Sequence, residues 1–110
     1  MRKIERQMIS AVKNCKDWRN DNTEVLYSPS RKVSCVYLHN NLIATISEDD
    51  VEVYDGGWQS NTTKSRLNAI LSAHGIGGES VFQKNFEWFV RLWNGTEFVT
   101  TEFRSGMRLA

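Results

Sequence analysis

The stretch from Tyr54 to Leu71 constrains the fold more than any other part of this chain. Gly56-Gly57 lets the backbone turn sharply, because residues without a Cβ reach positive φ cheaply. Ser60, Asn61 and Thr62 follow, each able to accept the unpaired amides of a first helical turn. Leu67, Ile70, Leu71 and His74 then recur at i, i+3, i+4 and i+7, the spacing of one helix face. Gly75 stands where a left-handed residue would close the helix. A strand must therefore end here, and a helix must begin after a tight turn.

The flanking segments fit that hinge. Residues 2–16 read as a helix with Ile4, Met8, Ala11, Val12 and Cys15 on one side. Strands follow at Thr23–Ser28, Val33–Leu38, Leu42–Ser47 and Val51–Tyr54, joined by Ser28-Pro29-Ser30, a two-residue Asn40-Asn41 turn and an acidic Glu48-Asp49-Asp50 turn. After the 62–74 helix, Gly75-Ile76-Gly77-Gly78 is a loop and Ser80–Gln83 begins a strand. Phe86–Trp93 and Thr96–Phe103 flank Asn94-Gly95, a strong hairpin signal. A two-residue loop there sets Trp93 opposite Thr96, Arg91 opposite Phe98 and Phe89 opposite Thr100. Alternation puts Phe86, Trp88, Val90, Leu92, Val99 and Phe103 on one face, and Phe89, Arg91, Trp93 and Phe98 on the other. The expected fold is a single α+β domain over residues 1–110. It has a mainly antiparallel sheet, in the order α-β-β-β-β-α-β-β, with two helices packed on it.

Charge is uneven although the net is only +1. Residues 1–20 carry Arg2, Lys3, Arg6, Lys13, Lys16 and Arg19 against Glu5 and Asp17, a local +4. Residues 40–60 carry Glu48, Asp49, Asp50, Glu52 and Asp55 with no basic residue, a local −5. Such asymmetry describes either two solvated faces or an interaction surface. Cys15 and Cys35 lie in apolar patterns and are expected to be buried free thiols. With no apolar run of membrane length and no signal-peptide core, the expected location is the cytoplasm, away from membranes.

Chemistry-bearing motifs are few. The helix start near Thr62 has amides, hydroxyls, Lys64 and Arg66 that suit either ordinary capping or an anion. It matches neither a Walker loop nor a dinucleotide fingerprint. Phe89, Arg91, Trp93 and Phe98, with Lys84 nearby, resemble a stacking platform for single-stranded nucleic acid, unless a helix covers that face. The candidate binding set is thus Lys64, Arg66, Lys84, Phe89, Arg91, Trp93 and Phe98. His39 and His74 have no partner at ligand spacing, the acidic turn lacks an EF-hand pattern, and no nucleophile motif is present. No catalytic residue, metal or cofactor is expected, and the chain is not read as an enzyme.

Tyr54-Asp55-Gly56-Gly57-Trp58-Gln59-Ser60 followed by Thr62-Thr63-Lys64-Ser65-Arg66-Leu67-Asn68 resembles a segment of small uncharacterised proteins of tailed bacteriophages. Met1–Glu5, Val36–Ala44, Phe82-Gln83-Lys84-Asn85 and Trp88-Phe89-Val90 are similar to the same group. The resemblance implies a virus-encoded protein made in a host bacterial cytoplasm and carries no activity or site residue. The expected function is that of a small phage accessory protein that binds nucleic acid. The alternative is a protein–protein inhibitor of a host defence or transcription factor, using the acidic 48–55 region or an exposed apolar patch.

Overall fold

Helix-period apolar spacing at the start of the chain gives α1, Lys3–Lys13, in the computed structural model, which describes residues 1–109. Its buried side chains are Glu5, Met8, Ile9, Ala11 and Val12. The helix stops at Asn14, whose N–H reaches Ser10 O, and Cys15 takes the left-handed conformation at φ 53°. The expectation of two buried thiols is corrected: the early stop leaves Cys15 exposed. Cys35 is half-buried because it alternates with the buried Ser34 and Val36 of the strand Val33–Leu38, and both cysteines are free.

Five strands follow as an antiparallel meander: β1 Trp18–Asn20, β2 Thr23–Ser28, β3 Val33–Leu38, β4 Asn41–Ile46 and β5 Val51–Val53. The β3–β4 turn is centred on His39-Asn40, one residue earlier than the sequence implies, with φ of 49° and 65°. One row of side chains points to the helices: Val25, Val36, Leu38, Ala44, Ile46, Val51 and Val53 are buried. A bulge opposite Val36/Tyr37 breaks the simple alternation of β4, so that the consecutive Ile43 and Ala44 are both buried.

Gly56 and Gly57 turn the chain at φ 69° and 84°, into α2, Asn61–His74. Ser60 is the N-cap, its Oγ accepting the Thr63 N–H at 3.1 Å. At the other end Gly75 is extended rather than left-handed, with φ −89° and ψ −172°.

The remaining strands form a second sheet: β6 Ser80–Lys84, β7 Glu87–Trp93 and β8 Phe98–Glu102, in the order β6-β7-β8. The chain then returns to the first sheet as β9, Met107–Leu109, antiparallel to β5. Antiparallel pairing throughout and two helices meet the expected α+β class. The three-residue β1 and β9 are added edges of the larger sheet.

Two details of the second sheet differ from expectation. The β7–β8 connection is a four-residue loop, so Trp93 faces Phe98, Arg91 faces Thr100 and Phe89 faces Glu102. Asn94 causes this, because its Oδ1 accepts the amides of Thr96 (2.8 Å) and Glu97 (2.9 Å) and its own N–H binds Glu97 O (3.1 Å). A slip of two residues leaves every side chain on its expected face. Phe86, by contrast, is not a core residue. It occupies the β6–β7 turn with Asn85 at φ 66° and 52° and is 94% exposed.

Both helices lie on one face of the six-stranded sheet, α1 against β1 and β2 and α2 against β4 and β5. The other side of α2 meets β6. There the Asn68 carboxamide behaves as a neighbouring strand would. Its Nδ2 donates to Val81 O (2.9 Å) and its Oδ1 accepts the Val81 N–H (2.7 Å). Val81, Trp88, Val90 and Phe103 thereby join the same core as Met8, Leu67, Ile70 and Leu71.

These positions set a stability test by denaturant titration. Trp88→Ala is expected to cost about 3–5 kcal/mol and Leu71→Ala about 2–5 kcal/mol. Ser72, exposed on α2, should tolerate alanine within about 0.5 kcal/mol. Equal losses at all three positions would contradict the packing.

Candidate nucleic-acid interface

Among the described residues, no helix covers one face of the second sheet. Strand alternation brings Phe82, Lys84, Glu87, Phe89, Arg91, Trp93, Phe98, Thr100 and Glu102 to that side, opposite the buried Val81, Trp88 and Val90. Its four aromatic rings are half-buried by one another rather than by the core. Phe82 and Phe89 are cross-strand partners and stack at 5.8 Å with 26° between ring planes. Trp93 and Phe98, also partners, meet edge to face at 5.1 Å. The Arg91 guanidinium lies 4.0 Å from the Phe98 ring centre. Aromatic and cation–π geometry of this kind holds the rings in fixed orientations.

The α2–β6 loop sets the end of this face. Arg91 Nη1 donates to Gly78 O at 3.1 Å, and Gly78 is at φ 99°. A Cβ at Gly78 would stand 2.7 Å from Phe98 Cζ, so the close approach of backbone to ring depends on glycine. Next to it, the buried Glu79 carboxylate accepts the amides of Trp93 (3.1 Å) and Ile76 (2.9 Å). It thus serves Trp93 N–H beyond the start of β6.

Of the seven candidates from sequence, Lys84, Phe89, Arg91, Trp93 and Phe98 share this face. Lys64 and Arg66 do not. Lys64 lies on the opposite side of the sheet, its Nζ 3.1 Å from Gln83 Oε1 and 5.9 Å from the Trp88 ring centre. Arg66 is a correction: only 3% of it is exposed, and it cannot meet a surface ligand. Its Nη1 pairs with Glu5 Oε2 at 2.8 Å, and its Nε donates to Thr23 Oγ1 at 3.1 Å. Phe82, Gly78 and Glu79 belong to the surroundings of the face but were not singled out by sequence. The alternation of Ser80-Val81-Phe82 could have found Phe82 only once the strand was paired with β7.

Charge on the face is graded. Arg91 stands at the Trp93–Phe98 end, whereas Lys84 faces Glu87 and Glu102 faces Phe89 at the other end. A phosphate would therefore be drawn to the Arg91 end. Elsewhere, His39 is exposed and His74 has a buried Nε2 with no protein partner; its pKa is lowered by burial and then by Lys13. Among the described residues, no group of three or more His, Cys, Asp or Glu side chains stands at metal-binding spacing.

A family model for the Kyanoviridae Gp96 protein matches residues 1–110. The chain belongs to that family. It is a family of cyanophage proteins, in agreement with the resemblance to tailed-phage proteins. No curated protein and no solved structure matches this Gp96-family chain. Among its described residues, no helix is long and apolar enough to cross a membrane.

The internal position of Arg66 has a pH consequence. Burial would raise the Glu5 carboxyl, but hydrogen bonds from Ser65, Arg66 and the Arg2 amide, with the Arg66 charge, outweigh it and hold the pKa below the ordinary 4.5. A carboxyl lowered on folding contributes stability that is complete above its unfolded value and is lost as pH falls through the folded one. Glu5→Gln should therefore destabilise more at about pH 7 than at about pH 3, by urea titration. Arg66→Ala, which strands the Glu5 charge, should cost about 3–5 kcal/mol at neutral pH.

Proposed function

We propose that this cyanophage protein is an accessory factor that works in the host bacterial cytoplasm by binding single-stranded nucleic acid, not by catalysis. The observation that carries this reading is the uncovered sheet face on which Phe82, Phe89, Trp93 and Phe98 stand with Arg91. Bases are flat and apolar on their faces, and any base can stack on an aromatic ring, while an adjacent guanidinium meets the phosphate. Arg91 suits that role, because its planar guanidinium lies over Phe98 and has donors beyond the one given to Gly78. Lys84, at the other end, is set against Glu87, which leaves Arg91 as the principal cation of the face.

Contact with a host protein is the competing proposal. Its acidic region is partly neutralised within the chain, because Arg108 of β9 reaches Asp50 (3.3 Å) and Glu52 (3.9 Å). The aromatic face is the better-equipped surface.

Fluorescence anisotropy with a labelled oligothymidine at several salt concentrations tests the proposal. Binding should weaken steeply with salt, since each neutralised phosphate releases condensed counterions. Trp93→Ala should weaken binding about 5- to 150-fold, for a stacking loss of about 1–3 kcal/mol. Arg91→Ala should reduce the slope of log K against log salt by about 0.7, one single-strand phosphate contact. No binding at low salt, or binding indifferent to both substitutions in folded variants, would favour the host-protein reading.

A further inference from the structure

A further cavity lies in the basic N-terminal segment, outside the candidate binding set. It is a groove of about 590 Å³ between α1 and the segment leading into β1. Lys3, Gln7 and Ser10 line it from one stripe of α1, with Arg6 beside them and Asn14 at the helix end, and Lys16, Asp17 and Trp18 complete the wall. Gln7 Oε1 accepts a hydrogen bond from Asn20 Nδ2 at 2.9 Å, which ties the helix stripe to the end of β1. The half-buried Trp18 packs against the core and supplies an apolar floor.

The charge here is stronger than the sequence count implies. Arg2, Lys3, Arg6, Lys13, Lys16 and Arg19 are all exposed, whereas Glu5, one of the two acids in this segment, is inside the protein with Arg66. Of these cations, Lys3, Arg6 and Lys16 line the groove itself, against one exposed carboxylate in the same wall, Asp17. That carboxylate is itself occupied, accepting the Tyr27 N–H at 2.8 Å. Arg6 gives one donor to Met1 O at 2.7 Å and has others available. A groove with cations on its rim and an indole at its base complements a polyanion with flat apolar groups.

We propose that this groove is a second contact site for single-stranded nucleic acid, with Lys3, Arg6 and Lys16 on successive phosphates and Trp18 against a base or sugar. The inference rests on the single-strand binding proposed for the sheet face and adds a site on a different element.

The test is the salt dependence of binding to an oligothymidine of about 15 nucleotides. The variant Lys3→Gln/Arg6→Gln/Lys16→Gln should lower the slope of log K against log salt by about 2, three contacts at about 0.7 each. An equal loss of charge elsewhere, Arg31→Gln/Lys32→Gln/Arg104→Gln, should change it by less than about 0.5. All six side chains are exposed, so both variants are expected to fold, which circular dichroism checks. Equal changes in the two variants, or none in the first, would overturn the groove while leaving the Trp93→Ala result to judge the sheet face. An inert Trp93→Ala with a lowered slope in the groove variant would reject the sheet face and retain the groove. Equal affinity for a polyglutamate peptide, lost in the same variant, would overturn nucleic acid as the occupant. Absence of oligonucleotide binding by the unsubstituted protein would overturn both.

Discussion

The structure depends on one buried ion pair. Arg66 of α2 is hydrogen-bonded to Glu5 of α1 and to Thr23 of β2, so a single guanidinium joins both helices to the six-stranded sheet. Ser65, next in the chain, donates its hydroxyl to the same Glu5 carboxylate. Apolar side chains of similar volume would pack there without the desolvation cost of two ions. They would not impose direction. A planar fork of donors accepts few relative placements of its partners, so the pair fixes how α1 sits beside α2. The same pair removes a carboxylate from the surface of the N-terminal segment and leaves its outer charge almost wholly positive. Core architecture and surface electrostatics are thus one decision.

The smaller sheet is held by a different device. Its inner residues pack on α2, and its edge is joined to the helix by Asn68. Because α2 is occupied on both sides, no helix remains to cover the outer face of β6-β7-β8. The aromatic rings there are exposed by topology. Their mutual stacking, the close approach of Gly78 and the Glu79 carboxylate hold them in order without a covering layer.

Local rules made much of this legible in the sequence. Period-two and helix-period spacing located α1, α2 and the longer strands, and parity alone assigned Phe89, Arg91, Trp93 and Phe98 to one face. Turn lengths were less accessible. Asn94-Gly95 signals a hairpin, but the extra residues in the loop come from the Asn94 side chain capturing two amides. Phe86 read as core because it precedes an alternating strand, although the chain is still turning there at positive φ. β1 and β9 are three residues each, too short for a periodic signal to stand out, and are held by pairing with β2 and β5. Arg66 was misread for a deeper reason. A charge beside a helix start looks solvated until its partner is known, and Glu5 lies 61 positions away.

Asn68 also governs how the smaller sheet can grow. A strand edge is a row of open donors and acceptors on which another chain can pair. At Val81, the second residue of β6, that row is already answered by the Asn68 amide. The far side of β8, Phe98–Glu102, is the sheet's other border. Strand addition along β6 would have to displace that amide, whereas addition along β8 would not.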